Sequence, residues 1–430
     1  MTAVPLKRLF SQMALLTTAR VAGAVCIFAL TLLITRLFGA GMMAQYSVYL
    51  AIASLASVLL PCGFHAISSM IAAEYDARGQ MPWVGVFARY GQKLIGAGGV
   101  VASALAVIAI ALLPDDSSYD LPVILAGAVP SAVAMGLIYF NGSLLIGLQH
   151  QFAGQLPDTL VRPLLLVLTV SVMALALPVV SIGHLVSAAS LVFVVTAVLQ
   201  WQGLRRVLKG RVANPAPWGG ERRKLWQLAP SWTVITLLWD YFIEIHILLA
   251  SFLFAPVEVA LLHICFRIRQ LAGFGMQALY TLLMPKVFSA NAREQDAETQ
   301  SLIRLSCRIT LGYAVAAWIG VALIGGFMLN VFGEEFRQGH GLLMIVMATL
   351  PVRAVFGPAP AVLGMKRNQR QVAQILIASL GLSLVLSLGG VKWGGLDAVA
   401  WGYLAATAFT AAAMWAAAKK KTGINCAVWA

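Results

Sequence analysis

The run LLHICFRIRQLAGFG, Leu261–Gly275, places His263, Arg267 and Arg269 inside an apolar stretch long enough to cross a bilayer. His263, Arg267, Gln270 and Phe274 follow one another at four, three and four residues, one stripe of an α-helix. Arg269 lies about 200° around from Arg267 and falls on another face. Arg267 stands about 15 Å into its span at 1.5 Å per residue, close to the midplane. An arginine there offers a planar fork of donors that can grip phosphate oxygens in pairs. In WDYFIEIHILL, Asp240 and Glu244 are four apart on one face of a single helix. Two carboxylates in a poorly solvated space suit H+ or Na+ coupling; a structural bridge to Arg267 or Arg269 is an equally open reading. LPDTLVRPLL sets Asp158 and Arg162 one turn apart between Pro157 and Pro163, which points to an internal ion pair at a bent helix. Arg20 and Arg353 are also embedded in apolar segments. A charge at the centre of a membrane helix costs roughly 2.5–3.5 kcal/mol unless it faces a bundle interior or water. All these residues are therefore site candidates, and the excess of arginine over carboxylate among them describes an interior that attracts an anion.

The elements that must hold these side chains are membrane helices. Of 430 residues, 60% are hydrophobic and 11% charged, and the mean hydropathy is +0.86, a composition that excludes a water-soluble domain. At roughly 20 apolar residues per crossing, about twelve spans fit, beginning near Met13, Met42, Val84, Leu121, Phe152, Ser181, Trp226, Val257, Ser301, Gly341, Val372 and Asp397. Strands with open edges would leave backbone groups unpaired in lipid, so every span is expected to be helical. The basic, then apolar N-terminus begins as a signal peptide does. Its apolar run continues through Leu33 and is interrupted at Arg20, so it reads as a retained first helix.

The net charge of +14 is unevenly placed. Lys7 and Arg8, Arg205 to Arg211, Arg222 to Lys224, Lys366 to Arg370 and Lys419 to Lys421 all fall on one side of the alternating spans, against Arg36, Arg337 and Lys392 on the other. The positive-inside rule puts both termini in the cytoplasm and removes nucleic acid as the reason for the charge. The basic, Pro- and Gly-rich stretch Leu204–Trp226 sits at the midpoint. It separates an N-terminal six-helix lobe, residues 1–208, from a C-terminal one, residues 226–430, with 209–225 as a cytoplasmic linker that could touch membrane lipids. LFGAGMMAQYSVYLAIASLA from Leu37 shares its LF opening, its LA close and two internal matches with LFAPVEVALLHICFRIRQLA from Leu253, 216 positions on. GLQHQ from Gly147 and GMKRN from Gly364 are separated by 217. Two matches at nearly one offset indicate an internal duplication.

Several chemistries are excluded. There is no P-loop, no CxxC and no histidine at metal-ligand spacing; the five cysteines are scattered and read as packing residues. Asn141 opens an NGS triplet inside a span, where it serves packing. No large external loop is present to host a polymerase or ligase.

ARVAGAVCIFALTLLITRLFGAGMMAQYSVYLAIASLASVLLPCGFHAISSMIAAEY resembles the first two helices of bacterial Wzx-like oligosaccharide flippases of the multidrug/oligosaccharidyl-lipid/polysaccharide exporter superfamily. LFAPVEVALLHICFRI is similar to the matching junction of the second half, and GLQHQF with GMKRNQ resembles the polar turns after helices four and ten. The resemblance implies an all-α polytopic protein with two six-helix lobes around a central cavity. It would move an undecaprenyl-diphosphate-linked oligosaccharide across the bacterial cytoplasmic (inner) membrane by alternating access. Arg20 and Arg267 would line the cavity, with His263 and Arg353 as further contacts to the anionic substrate. About twelve spans instead of the fourteen of lipid II flippases favours an O-antigen, capsule or exopolysaccharide unit. Such a protein is a carrier and not an enzyme, needs no cofactor beyond a coupling H+ or Na+, and works beside a polysaccharide polymerase and chain-length proteins. Three rivals stand beside it: a multidrug or organic-cation antiporter of the same superfamily, a membrane-embedded polymerase or ligase, and a non-transporting scaffold of an envelope assembly, which the interior charges argue against.

Overall fold

The computed structural model describes residues 6–112, 118–209, 219–292, 296–364 and 369–429, and among them every regular element is helical. In chain order these are α1 (Leu6–Leu59), α2 (Phe64–Ala77), α3 (Met81–Leu112), α4 (Leu121–Gly147), α5 (Gln151–Leu156), a π-helical turn (Pro157–Val161), α6 (Arg162–Ala176), α7 (Ile182–Leu208), α8 (Gly219–Asp240) and α9 (Phe242–Leu253). They continue with α10 (Pro256–Ala292), α11 (Asp296–Phe332), a 3-10 turn (Glu334–Gly339), α12 (His340–Met347), α13 (Thr349–Phe356), α14 (Ala359–Gly364) and α15 (Gln369–Thr422). The two 54-residue helices each hide a break, at Gly39 (φ 87°) in α1 and at Gly395 (φ 52°) in α15, left-handed conformations that glycine adopts without a Cβ penalty. With α1 and α15 counted as two crossings each, and α5–α6, α8–α9 and α12–α13 as one each, the described helices give the twelve spans expected. Nine helices among the described residues are individually long and apolar enough to cross a membrane, or ten if the bent α8–α9 pair is one span. The chain is a multi-pass membrane protein.

The breaks repeat. Gly39 and Ala255, the latter in the link between α9 and α10, are 216 positions apart; so are Val179, in the link between α6 and α7, and Gly395. The offset found in the sequence therefore also relates the helix junctions. The match Gly147/Gly364 runs into residues 365–368, which lie outside the described residues.

The chain divides into two compact units, Met1–Ser251 with Ala255–Val257, and Phe252–Phe254 with Glu258–Ala430. Residues 210–218 lie outside the described residues, but 219–225, expected to be linker, open α8, and all of α8 groups with the first unit. The reason is aromatic anchoring. Trp226 Nε1 donates to the Tyr90 hydroxyl at 2.9 Å, its ring meets Phe64 edge-on at 5.1 Å, and the Arg222 guanidinium lies over Tyr90 at 5.0 Å. Glu221, at the positive N-terminal end of the helix, pairs with Lys224 at 2.8 Å.

In the first unit α4 packs against α1, α2, α3 and α7, and its core contains the fully buried Phe64, Phe87, Ile95, Phe140 and Leu144. Val100, Leu105, Val107 and Leu112 of α3 are exposed, as side chains bathed in lipid would be. Close backbone approaches set the geometry around the charged residues. A Cβ on Gly23 would overlap the carbonyl oxygen of Thr159, so α1 rests directly on the π-helical turn that carries Asp158. Substituting Gly23→Ala is expected to destabilise the protein by about 1–3 kcal/mol, read as a lower unfolding temperature in detergent. Gly96→Ala, where nothing stands within 4 Å of the new Cβ, should leave that temperature unchanged or raise it.

Candidate functional site

The first unit gathers one group of charges around the fifth span. Pro157 and Pro163 each lack an N–H, and between them the helix widens into the π turn Pro157–Val161, a local form often found at functional positions. It brings Asp158 Oδ1 within 3.1 Å of Arg162 Nε, with side chains 24% and 15% exposed. The same Nε points to the main-chain carbonyl of Asp158 at 3.4 Å. Phe193 covers the guanidinium at 5.3 Å, and Tyr46, Tyr139 and Tyr241 lie within its electrostatic reach. The Tyr139 and Tyr241 rings lie tilted to each other with centroids 6.5 Å apart. One turn before Asp158, the Gln155 side-chain oxygen accepts a 2.7 Å hydrogen bond from Arg20, so Arg20 is tethered to the fifth span and its guanidinium is exposed.

Asp240 and Glu244 differ from their expected placement. They do not share a face of one helix. α8 ends at Asp240, α9 starts at Phe242, and the two axes meet at 67°. The i, i+4 rule needs continuous helix, and the break at Tyr241 removes it. Both carboxylates instead flank Tyr241 electrostatically, which joins them to the tyrosine group around Arg162. His246 is buried, its Nδ1 2.7 Å from the Phe242 carbonyl oxygen.

The second unit holds two arrangements on α10. On one, Arg267 Nε donates to His263 Nε2 at 3.1 Å and Nη1 donates to the Gln270 side-chain oxygen at 2.7 Å. As acceptor, His263 carries its proton on Nδ1 and is neutral. The four-three spacing thus becomes a physical cradle in which two uncharged neighbours fix the guanidinium plane. On the other, Arg269 is 8% exposed; its Nε donates to Thr349 Oγ1 at 3.0 Å, and it lies 5.9 Å from the centre of the Tyr403 ring. Arg353, from α13, lies within electrostatic reach of Arg269, Tyr403 and Tyr280.

Sequence reasoning missed Gln155, Thr349 and the tyrosines. A mid-span Arg269 is the one signal the sequence carries for Thr349, since a cation there needs a polar partner. Among the described residues no group of three or more His, Cys, Asp or Glu could hold a metal ion.

No protein-family model matches the chain, and no curated protein matches it. Solved structures do. A multidrug resistance MATE family transporter of the MOP superfamily, in an inward-facing conformation, superposes with a TM-score of 0.75 at 13% identity, covering 94% of this chain and 99% of that one. The lipid II flippase MurJ, in an inward closed conformation, gives a TM-score of 0.66 at 13% identity over 94% and 87% of the two chains. A mutant of the MATE transporter VcmN from Vibrio cholerae gives 0.59 at 15% identity over 96% and 97%. The chain has the fold of these MOP-superfamily proteins.

The Asp158–Arg162 pair should behave as a coupled unit. Asp158→Asn alone leaves an uncompensated cation and is expected to cost about 3 kcal/mol of stability. The double variant Asp158→Asn/Arg162→Gln should recover a large part of that loss. Thermal unfolding of both singles and the double, compared as a cycle, measures the coupling.

Proposed function

We propose that the protein is a carrier that moves an undecaprenyl-diphosphate-linked oligosaccharide, an O-antigen, capsule or exopolysaccharide unit, across the bacterial cytoplasmic membrane by alternating access. The observation that carries this reading is Arg267. Its guanidinium is held in plane by His263 and Gln270 of the same helix. This pre-orients a permanent cation for a phosphate and reduces the freedom lost on binding. Arg20, in the first unit, is a second cation, exposed and tethered by Gln155. The shared fold supports a carrier, since both the MATE proteins and the flippase are transporters by their descriptions. On this reading both chain termini are cytoplasmic, and the donor of substrate and the polymerase that consumes it are the protein's partners.

One observation favours a second reading. Asp240 and Glu244 beside Tyr139 and Tyr241 form an acidic, aromatic group of the kind that attracts organic cations. On that reading the protein is a multidrug antiporter. In the first reading the same carboxylates bind the coupling H+ or Na+.

Two experiments separate these roles. Arg267→Ala, expressed at the normal level, should abolish surface glycan, while Arg267→Lys retains part of it because charge persists without the planar fork; normal surface glycan in the alanine variant contradicts the proposal. In proteoliposomes carrying an ion gradient, Asp240→Asn/Glu244→Gln should slow gradient-driven transport at least about tenfold, the scale of 1.4 kcal/mol in a barrier, and leave gradient-independent exchange intact. Loss of both activities would give these carboxylates a role in substrate binding instead.

A further inference from the structure

Two pairs of cations take no part in the proposed transport chemistry: Arg89 with Lys93 on α3, and Arg304 with Arg308 on α11. α3 opens at Met81 and α11 at Asp296, 215 positions apart. The same 215 separates Arg89 from Arg304 and Lys93 from Arg308, so each pair occupies the same two positions of its helix. The internal duplication therefore sets them at corresponding points of the two units. All four side chains are exposed. Among the described residues no ion pair includes any of the four. α3 contains no carboxylate, and those of α11, Asp296 and Glu298, precede Arg304 by more than one turn.

Each pair opens an exposed stripe. At about 100° per residue, Arg89, Lys93, Val100 and Val107 fall on one face of α3, and Arg304, Arg308, Val315 and Ile319 on one face of α11. The aliphatic members are exposed, Val100 at 71% and Ile319 at 48%, as lipid-facing side chains are. After Lys93, residues 94–112 carry no charge and rise about 28 Å at 1.5 Å per residue, against a hydrocarbon layer of about 30 Å. After Arg308, the uncharged run 309–332 is longer still. Lys93 and Arg308 thus mark the edge of the hydrocarbon. Arg89 and Arg304 stand about one turn, roughly 6 Å, further out, at the depth of the headgroups.

Like charges one turn apart on a helix repel, and among the described residues no carboxylate offsets them. A headgroup phosphate does. Arginine gives its oxygens a fork of paired donors and lysine a mobile point charge, while both aliphatic stems lean along the apolar face. A zwitterionic lipid brings its own ammonium group, which the second cation of the pair repels; an acidic lipid does not. We propose that each dibasic pair docks the headgroup phosphate of an acidic bilayer phospholipid, whose acyl chain lies along the exposed stripe of α3 or α11. The protein has two such sites, one in each unit, related by the internal duplication. They are separate from the Arg267 cradle and independent of what the protein carries. Occupancy pins α3 and α11 to the headgroup layer at one end.

The test places the full-length protein in vesicles containing spin-labelled phosphatidylglycerol or spin-labelled phosphatidylcholine and measures the share of each lipid whose motion is restricted. The sites predict a preference for the acidic lipid of about fivefold. Arg89→Gln/Lys93→Gln and Arg304→Gln/Arg308→Gln should each remove one site's share of the restricted acidic lipid, and the quadruple variant both shares. Lys420→Gln/Lys421→Gln removes the same charge as either double variant from exposed positions at the end of α15 and should leave the preference unchanged. A preference that survives in the quadruple variant overturns the proposal. So does an equal loss in the Lys420/Lys421 variant, because net charge alone then explains the effect. Restriction of a spin-labelled polyprenyl phosphate by the pairs, with no preference for phosphatidylglycerol, assigns the stripes to a carrier lipid and also overturns it. If a multiple variant fails to fold, Lys93→Gln and Arg308→Gln alone provide the reading: each must lower the preference, and an unchanged preference in both overturns the sites.

Discussion

A guanidinium in hydrocarbon cannot be left without polar company, and the fold is arranged around that constraint. Arg267 is fixed by a histidine one turn before it and a glutamine one turn after it. Arg162 is held by a carboxylate one turn away on a widened helix, under a phenylalanine ring. Arg20 reaches another span for its amide partner, and Arg269 reaches across from α10 to the start of α13. Local partners come from helical spacing, which fixes them as soon as the helix forms. Distant partners depend on packing, so Arg20 and Arg269 are also tertiary fasteners. The distinction has functional weight. A locally held cation keeps its orientation while helices move, which suits a side chain that must receive and release a ligand.

The internal duplication gives the frame, and the departures from it mark the chemistry. Junctions at Gly39 and Ala255, and at Val179 and Gly395, preserve the 216-residue offset. The seventh span does not follow its counterpart. It breaks by 67° at Tyr241, whereas the equivalent part of α1 near Val25 runs on as helix. The fifth span carries a π turn. These two irregularities are where the carboxylates Asp158, Asp240 and Glu244 sit, beside Tyr139 and Tyr241. A break exposes backbone carbonyls and N–H groups that membrane interiors tolerate only where protein or water satisfies them, so the same feature that bends a span also makes its surroundings polar.

Much of this was legible before any coordinates. Twelve helical crossings follow from hydropathy and length, the Arg267 cradle from four-three spacing, and the Asp158–Arg162 pair from one turn of helix. What could not be read depended on partners far away in sequence. Nothing near Arg20 announces Gln155, and nothing near Arg269 announces Thr349 or Tyr403. The shared face of Asp240 and Glu244 could not be corrected from the sequence, because no glycine or proline marks Tyr241 as a break. The docking of Trp226 on the first unit was likewise not legible, since a basic, Pro-rich stretch signals exposure but does not say to which core an aromatic ring will dock.

The central claim is that the interior receives a phosphate-bearing lipid-linked glycan and not an organic cation. Reconstituting the unaltered protein and following, in the same vesicles, the transbilayer movement of a fluorescent polyprenyl-diphosphate oligosaccharide and the uptake of a lipophilic dye cation measures this directly. The account predicts protein-dependent movement of the glycolipid that excess unlabelled polyprenyl diphosphate suppresses, with dye uptake at the level of empty vesicles. Gradient-driven dye transport with a stationary glycolipid would contradict it.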